Sequence, residues 1–211
     1  MIAKTASRQE PRRLRTRAAL LEAGAELLAQ RPIDAIAVND IVDAAGVAKG
    51  SFFNHFQDKD AFAAEISAEI RAHVEARVTA VNANVTDPAV RMARAMCVFV
   101  QFALSDAKRA HIMLRGREWA ADGEHPINAG LRADIDQGVA AGQFAGRAKT
   151  AGILYVIGLC QVLMMAVLSR RELAECQRLT AELLALTFTG LGLAHAEAII
   201  ENAIDEIVVG A

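Results

Sequence analysis

Aromatic residues are scarce in this chain: one Trp, one Tyr and eight Phe, 5% of 211 residues. Ala, Leu and Val dominate instead, and no run alternates apolar and polar residues for long enough to make a strand. Only four prolines and fourteen glycines are present, which excludes a collagenous or low-complexity chain. Three cysteines, Cys97, Cys160 and Cys176, are odd in number, widely spaced and without a CxxC pair. A disulfide framework is therefore excluded, and a reducing, cytoplasmic setting is expected. The basic N-terminus lacks an apolar stretch, so no signal peptide is expected. HExxH, GxSxG and GxxxxGK[ST] are all missing, and no ExxH pair supplies the ligands of a di-metal helix bundle. The GxG within "GLGLAH" at 190–195 follows a helical pattern rather than a strand, so it makes no dinucleotide loop. Enzymatic chemistry, a cofactor and a metal thus find no support.

What the chain does have is apolar material, 54% of its residues, enough for a sizeable core. Its longest apolar run, "AGILYVIGLCQVLMMAVL" at 151–168, sits at the lower edge of transmembrane length, with Arg147, Lys149, Arg170 and Arg171 on its two sides. Basic residues at both ends give no orientation, and the neighbouring helices are amphipathic, so a buried or interfacial helix is expected rather than a membrane span. Charge is unevenly placed. The net charge is −2, yet residues 1–17 alone carry +5, from Lys4, Arg8, Arg12, Arg13, Arg15 and Arg17 against Glu10. A basic end on a neutral-to-acidic body suits an anionic partner such as nucleic acid.

Periodicity reads as all-α throughout, with roughly nine or ten helices. A flexible basic arm is expected over residues 1–11. Leu14, Ala18, Leu21, Ala25 and Leu28 recur on one face of a helix over 12–30, which Pro32 ends. A short helix follows through Val38, Ile41, Val42 and Ala45, then a turn at Gly46 and a third short helix over 48–56. Asp58 is placed to cap a long helix to about Val85. Further helices are expected at 88–104, 107–115, 126–141, 148–169, 171–191 and 196–208, with "GREWAADGEHP" as the longest irregular stretch.

"DIVDAAGVAKGSFFNHFQDKDAF" at 40–62 concentrates the information. Gly46 supplies the positive φ of a sharp inter-helix turn, and Val47 then turns inward between the two helices. Phe52 and Phe56, four apart, share the face that packs on the first helix. Lys49, Ser51, Phe53, Asn54 and His55 are left outward, and Gly50 lets the start of the helix approach another surface closely. A short helix with small and polar groups at its leading end suits the DNA major groove.

Residues 12–62, from "LLEAGAELLAQ" through "DIVDAAGVAKGSFFNHF" to Lys59, resemble the DNA-binding domain of the TetR family of bacterial transcriptional regulators. The resemblance implies a three-helix domain with a helix-turn-helix, followed over 63–211 by a larger helical domain for effector binding and dimerisation. It also implies Lys49, Ser51 and Asn54 at base edges, His55 and Lys59 at phosphates, and Asn39 at backbone or base. Lys suits guanine, Asn suits adenine, and Phe53 suits a thymine methyl. Ala37, Val42 and Phe53 depart from the usual Thr, Ala and Tyr, costing a helix cap and a phosphate-reaching hydroxyl.

Two long helices that are apolar around much of their circumference, 148–169 and 171–191, suit a four-helix interface between two copies, with Gly152, Gly158, Gly190 and Gly192 allowing close approach. A dimer would read a palindromic operator. Gln101, Met113, Trp119, Tyr155 and Gln161 are the candidate effector contacts, polar or soft groups within apolar runs. The expected protein is a repressor released by a small, largely apolar effector. The alternatives are a regulator that senses thiol oxidation through Cys97 and Cys160, and a helical bundle with no DNA partner.

Overall fold

A computed structural model describes residues 6–116, 128–170 and 172–210, all helix, turn or irregular chain, with no strand among them. Ten α-helices follow in order: α1 Ala6–Gln30, α2 Val38–Ala44, α3 Lys49–Phe53, α4 Lys59–Val81, α5 Pro88–Ser105, α6 Ala107–Arg115, α7 Ala129–Ala140, α8 Ala148–Leu168, α9 Leu173–Leu191 and α10 Glu197–Ile204. A 3-10 turn, Ile33–Ala35, precedes α2, and a π turn, Asp205–Val209, extends α10. The chain divides into two compact units, residues 1–71 with 111–118, and residues 72–110 with 119–211. α4 and α6 each contribute one part to either unit.

In the N-terminal unit, α1 begins at Ala6 and holds Pro11 within it, so residues 6–11 of the expected flexible arm are helical, and residues 1–5 of it lie outside the described residues. The buried face of α1 also differs from the expected one. Leu20, Ala23 and Leu28 are in the core, whereas Leu14 is 64% exposed and Ala18 lies open. Periodicity identified a helix there but drew its apolar stripe too far toward the N-terminus, where no described residue covers it. Gly24 is part of the true stripe: a Cβ there would lie 2.2 Å from the Phe62 ring. Its missing side chain is what seats Phe62, and with it Phe52 and Phe56, whose centroids lie 5.3 and 4.7 Å from that of Phe62. Asp58 caps α4 as expected, its Oδ1 accepting the Ala61 amide at 2.7 Å. Arg115, at the end of α6, donates to the Leu28 and Ala29 carbonyls in the last turn of α1, which carries no basic residue of its own.

In the larger unit, α5 is the central helix. Met92, Met96, Cys97, Val98, Val100 and Phe102 are all buried, on more than one face, because α7, α8, α9, α10 and the π turn pack around it. Asp87 starts α5 by accepting the Ala89 amide at 2.8 Å, with Pro88 in the first helical position. Gly192 ends α9 with a φ of 93°, and a Cβ there would meet Ala145 at 2.7 Å. Gly190 is likewise used within the chain: Tyr155 lies over it, and Gly152 faces Ile135 and Leu191. Of the four glycines expected at a dimer contact, Gly158 has no neighbour within reach of a Cβ.

Candidate nucleic-acid interface

α2 starts without a side-chain cap at Ala37, as its sequence foretells. Half of a capping box remains. The Asp40 carboxylate accepts the Ala37 amide at 3.1 Å and also pairs with Arg31 at 2.9 Å, which compensates in part for the missing hydroxyl. α2 closes with Ala45 and Gly46 donating to Ile41 and Asp43, and Val47 donating back to Val42 at 3.0 Å. Gly46 holds a φ of 64°, while a Cβ there would meet nothing within 4 Å. Backbone conformation rather than space therefore requires glycine in this turn. Val47 is half-buried beside the buried Ile41 and Val42.

α3 is shorter than the 48–56 expected. It spans Lys49–Phe53, and Asn54 and His55 lie in the turn that follows, with His55 N–H donating to Phe52 O. Phe52 is fully buried and Phe56 nearly so, their rings 5.5 Å apart, and Arg17 lies over the Phe56 ring while pairing with Glu65. This aromatic anchor fixes which way α3 faces. Asn39, Lys49, Gly50, Phe53 and Asn54 are exposed, and Ser51 and His55 are half-exposed. A Cβ on Gly50 would meet nothing, so its bareness serves no contact within the chain. Burial, then the positive charges of Arg13 and Arg17, push His55 below its ordinary value. His55 is thus mainly neutral near pH 7, with two arginines of α1 beside it that the motif alone did not single out.

Lys59 has other employment than the expected phosphate contact. Its ammonium donates to the Ile33 and Ile36 carbonyls at 3.3 and 2.7 Å, tying the start of α4 to the 3-10 turn. Two of its three donors are thereby used inside the unit.

The candidate effector contacts fall in both units. Met113 is buried within the N-terminal unit. Gln101, on α5, has a buried Oε1 with no hydrogen-bond partner among the described residues. Tyr155 points outward, 37% exposed, and donates to Leu186 O at 3.0 Å, so it braces α8 on α9 instead of lining an interior. Gln161 is half-buried on α8, and Trp119 lies outside the described residues. The three cysteines are buried, and no disulfide joins them among the described residues. Burial, and then Cys160, raise the Cys97 thiol to about 12, which leaves almost no thiolate for oxidant chemistry.

α8 is long and apolar enough to cross a membrane, but its inner side, including Val156, Cys160, Leu163, Met164 and Val167, packs in the core. Its outer side is an open apolar stripe of Leu154, Val162 and Met165, and Leu186 of α9 adds to the exposed apolar surface.

A model of the N-terminal domain of bacterial regulatory proteins of the tetR family matches residues 20–66. The transcriptional repressor DhaR of Mycobacterium sp. (strain GP1), a helix-turn-helix protein, is 35% identical over 72 residues; the match covers 34% of this chain and 36% of that protein. A putative tetR family transcription regulator from Shewanella sp. PV-4 superposes with a TM-score of 0.74 at 16% identity, over 83% of this chain and 97% of the other. RolR in complex with resorcinol gives 0.58 at 24%, covering 92% and 95% of the two chains. AibR in complex with isovaleryl coenzyme A and operator DNA gives 0.62 at 17%, covering 82% and 98%. These last three likenesses concern the fold.

Proposed function

We propose that the chain is a member of the TetR family of bacterial regulatory proteins, a dimeric DNA-binding transcriptional repressor acting in the cytoplasm and released from a palindromic operator by a small, largely apolar effector. The observation that carries the reading is the division of labour in α3. Phe52 and Phe56 anchor the α3 region in the core, and Lys49, Gly50, Ser51, Phe53 and Asn54 are presented to solvent at the width of one helix. Lys49, Ser51 and Asn54 read base edges, Phe53 meets a thymine methyl, and Asn39 and His55 contact the DNA backbone. Arg13 and Arg17 add positive potential beside His55. Lys59 acts on DNA indirectly, by holding the 3-10 turn before α2.

The exposed stripe of α8 with Leu186 supports the dimer, since a second copy would cover it and bring two α3 helices to successive turns of one duplex. Relatives of the same fold hold resorcinol or an acyl-coenzyme A, which supports a ligand-responsive larger unit. In that unit the unpartnered Gln101 Oε1 is the handle we assign to the effector; it favours a ligand with a hydrogen-bond donor on an otherwise apolar body. The boundary between the DNA-binding segment, 12–62, and the remainder falls within α4, which would carry the response from one to the other; the ligand shifts that equilibrium only by its differential affinity. No catalytic role is assigned. The thiol-sensing alternative has burial of Cys97 and Cys160 against it.

Selection of bound duplexes from a random pool by the purified protein tests the reading. Enrichment of a palindrome whose half-sites lie about one helical turn apart, or a multiple of it, is the expected outcome. Weak binding without enrichment at any salt concentration would leave the repressor reading without its basis.

A further inference from the structure

Among the described residues, α2 and α3 present one large apolar side chain to solvent, Phe53, which is 56% exposed. Its ring stands edge-on to that of Phe52, with centroids 5.4 Å apart and planes at 83°. Phe52 is fully buried, so the outer ring rests on a fixed inner one. Gly50 lies three residues earlier, one turn back on the same side of the helix. Helical side chains lean over the preceding turn, so the Phe53 ring inclines toward the place where a Gly50 side chain would stand. That place is open: beyond its chain neighbours and the helix backbone, a Cβ on Gly50 would meet nothing within 4 Å, the Phe53 ring included. Gly50 is not among the glycines with positive φ, and glycine weakens a helix relative to alanine. Neither backbone conformation nor an internal contact therefore asks for glycine here. Carbon atoms in contact sit about 3.5–4.0 Å apart, so a methyl group fits the space without displacing anything. In the major groove the apolar feature of the base edges is the C5-methyl group of thymine, and a cytosine methylated at C5 carries the same group.

Resting on the DNA-binding reading above, we propose that Gly50 and Phe53 form a notch for the C5-methyl group of a pyrimidine, Gly50 as its floor and Phe53 as its wall. α3 thus reads the methyl group itself, whichever pyrimidine bears it. Thymine and 5-methylcytosine fill the notch, and uracil and unmethylated cytosine leave it empty. Operator binding thereby responds to cytosine methylation at one position of each half-site.

The test uses the full chain and the operator duplex enriched from the random pool. Each thymine of one half-site is replaced in turn by uracil, which keeps the pairing edge and removes only the methyl group. At one position the replacement should weaken binding about fourfold, the worth of one buried methyl-sized group. In Phe53→Ala the same replacement should have no effect. In Gly50→Ala uracil should bind at least as well as thymine, because the new Cβ occupies the notch. A cytosine–guanine pair at that position should bind about fourfold more tightly when the cytosine is methylated at C5, and only with Phe53 present. Uracil tolerated at every position, a uracil penalty that survives Phe53→Ala, or cytosine bound alike with and without its methyl group each overturns the proposal. An operator bound without any methyl preference removes the notch and leaves the repressor reading standing, whereas the absence of an operator removes both.

Discussion

The outward face of α3 and the outward stripe of α8 are both open to solvent, yet they are built of opposite materials. α3 exposes Lys49, Gly50 and Asn54 in the helix or just beyond it, with one aromatic ring, Phe53, 56% exposed. α8 exposes Leu154, Val162 and Met165 with no charge between them. A short polar helix loses little by remaining in water and gains hydrogen bonds on meeting base edges. A broad apolar stripe loses free energy for as long as it stays wet, and only another apolar surface relieves it. Exposure alone therefore does not identify a partner. The chemistry of what is exposed does.

The largest effect should come from breaking that contrast on the α8 side. Met165→Glu places a charge in the middle of the stripe, and leaving a charge unpaired in a closed interface costs about 3–5 kcal/mol. The variant should sediment as a folded monomer and bind operator at least tenfold more weakly; a persistent dimer would show that the stripe is not the subunit contact. Phe52→Ala and Phe53→Ala sharpen the comparison on the α3 side. Phe52 is fully buried, so its truncation should lower unfolding stability by about 3–5 kcal/mol, whereas Phe53→Ala should stay within about 0.5 kcal/mol. Equal losses in denaturant titrations would mean that the anchored and presented rings have been confused.

Lys59→Met should cost about 1.5–3 kcal/mol of stability, through the charged hydrogen bonds to Ile33 and Ile36, with sequence preference unchanged. A stable variant that loses DNA affinity at every sequence alike would return Lys59 to phosphate contact. Asn54→Ala should instead keep stability and relax preference at one base pair by about 1–3 kcal/mol, as read from a panel of operator variants.

The smallest effect is one of pH. Burial, Arg13 and Arg17 hold His55 below its ordinary 6.5, so the folded protein binds a proton less readily than the unfolded chain. The stability contribution of this group is therefore complete above about 6.5 and declines as pH falls below it. A DNA phosphate beside the ring acts the other way and favours the protonated form. Operator affinity should thus rise as pH is lowered from about 7.5 toward 5.5, by less than about 1 kcal/mol, and His55→Asn should flatten that slope. An identical slope in the variant would remove His55 from the interface.

The recognition pair was legible because its signals are local. Gly46 at a φ of 64°, Phe52 and Phe56 four apart, and Asp58 three residues before the amide it caps all act within one or two turns of chain. The α6 range and the start of α5 at Pro88 were legible for the same reason. The α1 stripe was misjudged because Leu14 and Leu20 are equally apolar, and only the position of Phe62 and its neighbours decides which is covered. Tyr155 carries a similar ambiguity: a soft aromatic in an apolar run fits a pocket, a core or a brace between helices, and its hydrogen bond to Leu186 O is visible only in the folded chain.

By itself, then, the sequence determined that this is a helical chain with a helix-turn-helix near its N-terminus, since helix periods, caps and a glycine turn are set by neighbours a few residues apart. Tertiary structure alone decided what faces what: that Gly24 receives Phe62, that Lys59 and Arg115 hold backbone carbonyls, and that α8 is buried on one side and bare on the other. Those outcomes depend on residues up to 87 positions apart meeting in space, a relation that no local pattern records.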